Sequence, residues 1–538
     1  MVMFAVAACS IGPATGPRPS PRPTVTYYIS PAGNDSASGT SPSTAWRTLQ
    51  HASSAVLPPG TRVLLRGGEV FHGQLRLDFK DAGSAANPVT IGSYGPGEAV
   101  IADTSKPAVT VYDTGGVTIQ DLRLTGPAAP ANSNSGINLY SDLGAGHRPD
   151  HIVIRGVSAT GFLDGISIGA AHPGAGFSDV QISQCALYGN TDAGLLTYGP
   201  KFDAHAPAYA HQNVRVDHVV AYGNRGNPLD KTTNSGNGIV LGSVRDGSIT
   251  WSTAHDNGGR STALQGPAGI WTYDSTEIDI AHSLSYHNKT ANRIDGNGFD
   301  LDQNTSNSVL EDNLSYGNDG TGFLVFTALN NGAQRGNMVR NNISSDDARD
   351  GAVQYGSITL TGPLHYTAVY QNTAVISPAA NGALPPVLRL GPAVRGISVR
   401  NNIFSTEAGP LVADKNALVT SEAVLQGNDY YTVLGPWRLI WGMTTYGSMS
   451  EWRAATSEET VGGTPTGSDV NPGFVDPVTG LNAHSAAEDA SAGAGFVLKP
   501  GSALAGAGLD LSSLGLTPVP ANYAGTPRSV RHPNVGAQ

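Results

Sequence analysis

From residue 151 onward apolar and polar residues alternate in short runs, each closed by Gly, Asn or Asp. Strict alternation over a few residues predicts half-buried strands rather than helices. The runs also recur. HIVIRGVSATGFLDGISIG begins at His151, VQISQCALYGN at Val180, VRVDHVVAYGN at Val214, SITWSTAHDN at Ser248, IDIAHSLSYHN at Ile278 and SVLEDNLSYGN at Ser308, so successive units start 29 to 34 residues apart. NMVRNNISS from Asn337 and GISVRNNIF from Gly396 keep the register, with YTAVYQNTAV between them. A period of this length with several short strands per unit predicts an all-β stacked solenoid, a right-handed parallel β-helix. Such a stack has a one-dimensional core, which removes the size limit that 538 residues would meet in a globular domain.

Two columns repeat within the units. Asn190, Asn224, Asn257, Asn288 and Asn318 close the first strands, and Tyr188, Tyr222, His255, Tyr286 and Tyr316 stand two residues before them. A turn must satisfy its backbone in every coil, so the first column reads as an asparagine ladder and the second as an aromatic stack at the coil spacing. A sugar-stacking row is the alternative for the aromatics.

The later strand of each unit aligns on a leading glycine: Gly165, Gly194, Gly238, Gly269, Gly298 and Gly322. The first and third residues after it are almost all apolar, among them Ile166 and Ile168, Ile239 and Leu241, Phe299 and Leu301, Phe323 and Val325. Strand side chains alternate between faces, so these form the core and the second and fourth residues face outward. The outward set holds Trp271 with Tyr273, Asp300 with Asp302, and Leu324 with Phe326. Two acids bracketed by large rings one coil to either side predict a sugar-binding groove with Asp300 and Asp302 as a catalytic pair and Trp271, Tyr273 and Phe326 as sugar subsites. The competing reading is a solvated polar strand beside aromatics packed under a loop. Asp274 and Asp295 are reserve carboxylates for substrate binding, although Asp is also a common turn residue. Same-face neighbours lie ~6.5–7 Å apart at Cα. Their carboxyls then span both the ~5–5.5 Å of retaining and the ~6.5–9.5 Å of inverting glycosidases.

Loop lengths point to the same place. Segments 225–237, 258–268 and 289–297 are longer than their equivalents 191–193 and 319–321, and predict a wall beside the acids. The insertion 200–213 leaves the far end of an upstream strand and is placed to overhang the groove.

Composition narrows the partners. Charged residues are 14% and glycines number 68, in keeping with short strands and tight turns. The formal charge of −11 excludes a general basic field for nucleic acid and favours a mostly neutral polysaccharide. Cys185 reads as a small buried hydrophobe. The run MVMFAVAACS ending near Cys9 resembles a bacterial lipobox, and the following SIGPATGPRPSPRPTVT is a Pro-rich spacer. Together they imply a secreted or cell-surface lipoprotein whose only membrane contact is a lipid at Cys9. The organisation expected is a signal and linker over 1–25, the β-helix with an N-terminal cap over 26–404, and last coils with a capping segment over 405–538. Trp46, Leu49 and Val56 suit a short capping helix, and Trp437, Trp441 and Ser448–Thr456 a C-terminal cover.

YYISPAGNDSASGTSPSTAWRTL, from Tyr27, and GLDLSSLGLTPVPANYAGTPRSVRHPNVGAQ, from Gly508, resemble the entry and closing segments of bacterial right-handed parallel β-helix carbohydrate-active enzymes, the superfamily of pectate lyases and polygalacturonases. The resemblance covers most of residues 26–538 and implies the fold more than the reaction. Asn190-Thr191-Asp192 matches one polygalacturonase motif, but Asp346-Asp347 falls in a distant turn and the remaining motifs are absent. The mannuronan epimerase pattern is not matched either, because Phe299-Asp300-Leu301-Asp302 lacks its histidine. The functional expectation is a glycosidase without a cofactor. A lyase or epimerase acting on a uronic-acid polymer is the alternative, with Lys289, Arg293 and His287 as cationic groups near substrate and calcium as a possible cofactor. A non-enzymatic glycan-binding solenoid is the third reading.

Overall fold

The computed structural model describes residues 24–102, 105–127, 133–350, 354–477 and 493–538; Cys9 and the rest of the lipobox segment lie outside the described residues. The chain winds as a parallel β-helix with three strand columns. One column is a 14-stranded sheet from Leu75–Leu77 to Thr444–Tyr446, parallel except for its last pair. The other two form a single 25-stranded sheet, joined where Val117–Thr125 and Asp150–Thr160 run straight through the corner between them. The stack continues beyond residue 405 through Ala423–Gln426 and Asp429–Thr432, which pair with the coil before them.

The alternation read from the sequence sets the core. Ile166, Ile168, Ile239, Leu241, Phe299, Leu301, Phe323 and Val325 are all buried in one continuous apolar column. Phe299 and Phe323 stack across adjacent coils at 5.2 Å.

The asparagine column is fully buried and hydrogen-bonded. The backbone N–H of Asn224 donates to Oδ1 of Asn257 at 3.1 Å, while its Nδ2 donates to the same oxygen at 3.0 Å and to Leu187 O one coil back at 3.2 Å. The same arrangement links Asn257 to Asn288 and Asn288 to Asn318. The row ends on Asp347, whose Oδ1 accepts from the N–H and the Nδ2 of Asn318 at 3.1 and 2.8 Å. A second row, Asn313, Asn342, Asn372, Asn402 and Asn428, ends likewise on buried Glu459. The leading glycines answer to the first row: a Cβ on Gly298 would lie 2.3 Å from Ser315 Oγ and 2.9 Å from Asn318 Nδ2.

The aromatic column stacks as expected, with ring centroids 4.8 to 5.1 Å apart from Tyr188 to Tyr316. Part of it is covered by the C-terminal segment, which returns along the side of the stack. Phe496 packs on Tyr286, Tyr316 and Ile343, Leu511 and Val519 on Tyr370, and Thr373 Oγ1 accepts the N–H of Ala537 at 3.0 Å. Helix Met449–Thr456 buries Trp452 against Trp441 and Tyr430. At the other end helix Leu49–Ser54 buries Leu49 and Ala52, and Trp46 joins the core. Val56 departs from the expectation: it follows the helix and is 62% exposed. Cys185 is buried, and burial pushes its thiol up to about 12.

Replacing Asn257 by Ala leaves the N–H of Asn224 and the carbonyl of Ala221 without their buried partners. The expected loss is about 2–4 kcal/mol, read as a shift in the urea unfolding midpoint.

Candidate active site

The outward face of the 14-stranded sheet is not open to solvent at the acids. Long loops rise beside it and enclose a cavity of about 1270 Å³. Thr233, Asn234, Leu264, Gln265, Gly266 and Ile294 line it from the three long segments, and Lys201 and Phe202 from the overhanging insertion. The wall and the overhang are therefore where loop length places them.

Strand register sets the floor. Val240 pairs with Trp271, Trp271 with Asp300, Asp300 with Leu324, Leu324 with Thr359 and Thr359 with Arg389, which makes one outward column along the solenoid axis. Tyr273 lies over Gly242 of the coil before, where a Cβ would come within 2.3 Å of its ring. Trp271 is 5% exposed, its Nε1–H donating to Asn237 Oδ1 at 3.1 Å, and it packs on Val240, Ala268 and Tyr273. The expectation that these outward residues face solvent is thus corrected: Trp271, Asp300 and Leu324 are buried beneath the loops, while Tyr273, Asp302 and Phe326 are half-buried. All six line the cavity.

Both acids hold their protons strongly. Asp300 is 4% exposed and its Oδ1 has no hydrogen-bond partner in the protein. Burial, then the carboxylates of Asp302 and Asp295, raise its pKa well above the usual range, against one weak contact from Asn297 Nδ2 at 3.5 Å. Asp302 is pushed up to about 8, by burial first, while the backbone N–H of Gln303, donating to its Oδ1 at 2.7 Å, favours the ionised form. Its own N–H donates to Thr272 O and its carbonyl accepts from Gln334 Nε2, so the residue is fixed just past the strand end. Of the pair, Asp302 alone receives a backbone N–H that favours its ionised form.

Asp274 and Asp295 line the cavity and also occupy left-handed turns, with φ of 49° and 57°. Asp295 accepts from the Gly266 N–H, from Asn297 Nδ2 and from Tyr355 Oη at 2.9, 3.1 and 2.8 Å. Those donors oppose the burial that raises its pKa. Arg293 is a correction. Its side chain is 72% exposed, 3.6 Å from Asp350, and does not line the cavity. Lys289 donates to Asp319 at 3.1 Å, and His287 packs edge-on against Tyr286 and Tyr316; neither lines the cavity.

Sequence reasoning missed Asp192, Asn237, Tyr355 and Arg389, all of which line the cavity. Asp192 is the last residue of the polygalacturonase-like motif, and burial, with Asp230 nearby, pushes it to about 7. Arg389 sits at an outward strand position that the alternation rule would have flagged had the alignment been carried that far. No group of three or more His, Cys, Asp or Glu side chains placed to hold a metal ion occurs among the described residues.

Fold and cavity together define a parallel β-helix with a deep, acid-lined cleft on one sheet. No protein-family model matches the chain. A lacto-N-biosidase of Bifidobacterium longum subsp. longum is 41% identical over 88 residues, which is 16% of this chain and 5% of that protein. The uncharacterized protein YwoF of Bacillus subtilis (strain 168) is 32% identical over 148 residues, 25% of this chain and 29% of that protein. The chain thus spans less than a third of the length of either curated relative. Among solved structures, the GH136 lacto-N-biosidase from Eubacterium ramulus superposes with a TM-score of 0.50 at 17% identity, covering 68% of this chain and 65% of that one. Pectate lyase Pel9A gives a TM-score of 0.44 at 16% identity over 96% of both chains. The structural neighbours are pectate lyase-like β-helix carbohydrate-active enzymes, and the likeness is one of fold.

The raised pKa of Asp302 has a sign in stability. The native state retains its proton up to about 8, whereas an unfolded Asp releases it near 4. The native state therefore binds more protons between those values, and stability falls as pH rises through that window. Asp302→Asn should flatten part of this fall in urea unfolding measured at a series of pH values; an unchanged slope would contradict the assignment.

Proposed function

We propose that the protein is a glycoside hydrolase or glycosyl-transferring enzyme that acts on an extracellular polysaccharide through Asp300 and Asp302. One observation carries the reading. Two acids, at alternate positions of one strand and its end, line a loop-walled cavity in different surroundings: Asp302 accepts a backbone N–H that favours its ionised form, whereas Asp300 is buried with one oxygen lacking a partner in the protein. Splitting the pKa values of neighbouring carboxyls is how one site supplies an acid and a base together. Asp300 donates its proton to the leaving glycosidic oxygen. The Asp302 carboxylate then serves as nucleophile or as the base that activates water. Tyr273 and Phe326, half-buried to either side of the pair along the axis, offer ring faces to sugar C–H groups, and Trp271 backs the acid from the preceding coil. Asp295 holds Tyr355 and Asn297 in place beside Asp300.

A walled cleft supports an enzyme over a flat glycan-binding strip, since it brings the acids and the ring faces around one bound chain. The lyase alternative loses its base as first drawn, because Lys289, Arg293 and His287 stand outside the cavity. The lacto-N-biosidase similarities agree with glycosidic chemistry. The lipobox-like run at Cys9 and its Pro-rich spacer support action outside the cell, tethered by a lipid.

The test is a polysaccharide panel with products separated by chromatography. Asp300→Asn and Asp302→Asn should each fold and lose about 10³-fold or more in kcat, since each removes a group acting in the transition state. Full activity in both variants, or products carrying an unsaturated uronate, would overturn the reading. The kcat/KM profile should be bell-shaped, its two limbs reporting apparent values that belong to the coupled pair. Tyr273→Ala should raise KM by about tenfold, as for a lost aromatic contact, with a smaller change in kcat.

A further inference from the structure

The lining of the cavity places its acids and its cations apart. Asp192, Asp274, Asp295, Asp300 and Asp302 line it around the proposed cleavage point, whereas its lining cations are Lys201, exposed on the overhanging insertion, and Arg389. Arg389 stands in the middle of strand Leu388–Leu390, in the same outward column as Asp300 and three coils further on, through Leu324 and Thr359. Three coil spacings are ~14 Å along the axis, a span that several sugar residues of an extended glycan would fill. The guanidinium is more than half buried, burial is the one influence on it, and no carboxylate among the described residues is paired with it. Thr359, Thr361 and Gln354 line the cavity around it with neutral polar groups. A partly desolvated cation without a counter-charge is unfavourable, and the fixed fork of a guanidinium matches a planar carboxylate through two parallel hydrogen bonds.

Building on the glycosidase reading, we propose that Arg389 forms a distal subsite for the carboxylate of a uronic-acid residue, several sugars away from a neutral glycosidic bond held at Asp300 and Asp302. The preferred substrate is then a heteropolysaccharide with spaced acidic residues.

The test separates binding from turnover. Asp300→Asn protein is titrated by calorimetry with glucuronoxylan, xanthan and gum arabic, each in its native form and after chemical reduction of its carboxylates to alcohols. At least one native polymer should bind about ten- to a hundredfold tighter than its reduced form, the range expected for charge-assisted hydrogen bonds. Adding Arg389→Gln should bring that ratio close to one, and Arg389→Lys should keep part of it. Thermal unfolding checks that the variants fold; should Arg389→Gln fail, Arg389→Lys and the loss of preference with added salt carry the test. No preference for any native polymer, or a ratio unchanged by Arg389→Gln, would overturn the proposal. Loss of the ratio together with full turnover in Asp302→Asn would instead sustain the subsite and overturn the glycosidase reading.

Discussion

The buried asparagine row is the interaction on which the rest of the molecule depends. Each amide bridges three coils, accepting from the next turn back and donating both forward and to a carbonyl behind it. From Asn190 to Asp347 this fixes the height of each coil at the corner immediately before the loops that lead into the 14-stranded sheet. Because the corner is clamped by side chains, the following loop is free to be three residues long or more than ten without shifting the strand after it. A clamped corner with a free loop is what lets the cavity wall be built from 225–237, 258–268 and 289–297 while Trp271, Asp300 and Leu324 stay in register.

The site follows from that register. Only outward positions of consecutive strands can bring a tryptophan, an acid and an arginine into one axial column, and only the loops convert that exposed column into a low-dielectric cavity. The high pKa of Asp300 comes from the loops and neighbouring acids, whereas its position comes from the strand. Geometry and acidity are therefore set by separate parts of the chain.

The same division explains what could be read in advance. Alternation revealed the core and the outward acids, because period-two patterning reports face directly. It did not report what covers a face, so Trp271 and Asp300 were expected in solvent and are buried. Arg293 and Lys289 fall in loops, where residue type says nothing of direction: Arg293 lies exposed near Asp350 and Asp319 holds Lys289. Arg389 was missed for a local reason. The leading glycine that anchored the alignment is demanded by the packing of the ladder amides, as Gly298 against Asn318 shows, and the row stops at Asp347. Downstream, Ser357 and Val387 take the glycine's place ahead of strands Ile358–Thr361 and Leu388–Leu390, and the sequence marker for the outward face disappears although the face continues.

Both rows end on an acid, Asp347 in one and Glu459 in the other, and this gives the stack a polarity. In each row the carbonyl ends of the amides point backward and the NH₂ ends forward, so their dipoles add along the axis and the positive pole meets a carboxylate, as an anion does at a helix N-terminus. A carboxylate has no N–H to pass on, so it halts the chain of donors. The solenoid is in this sense a filament with a terminator: coils can be inserted ahead of the acid, but past it a new row has to begin.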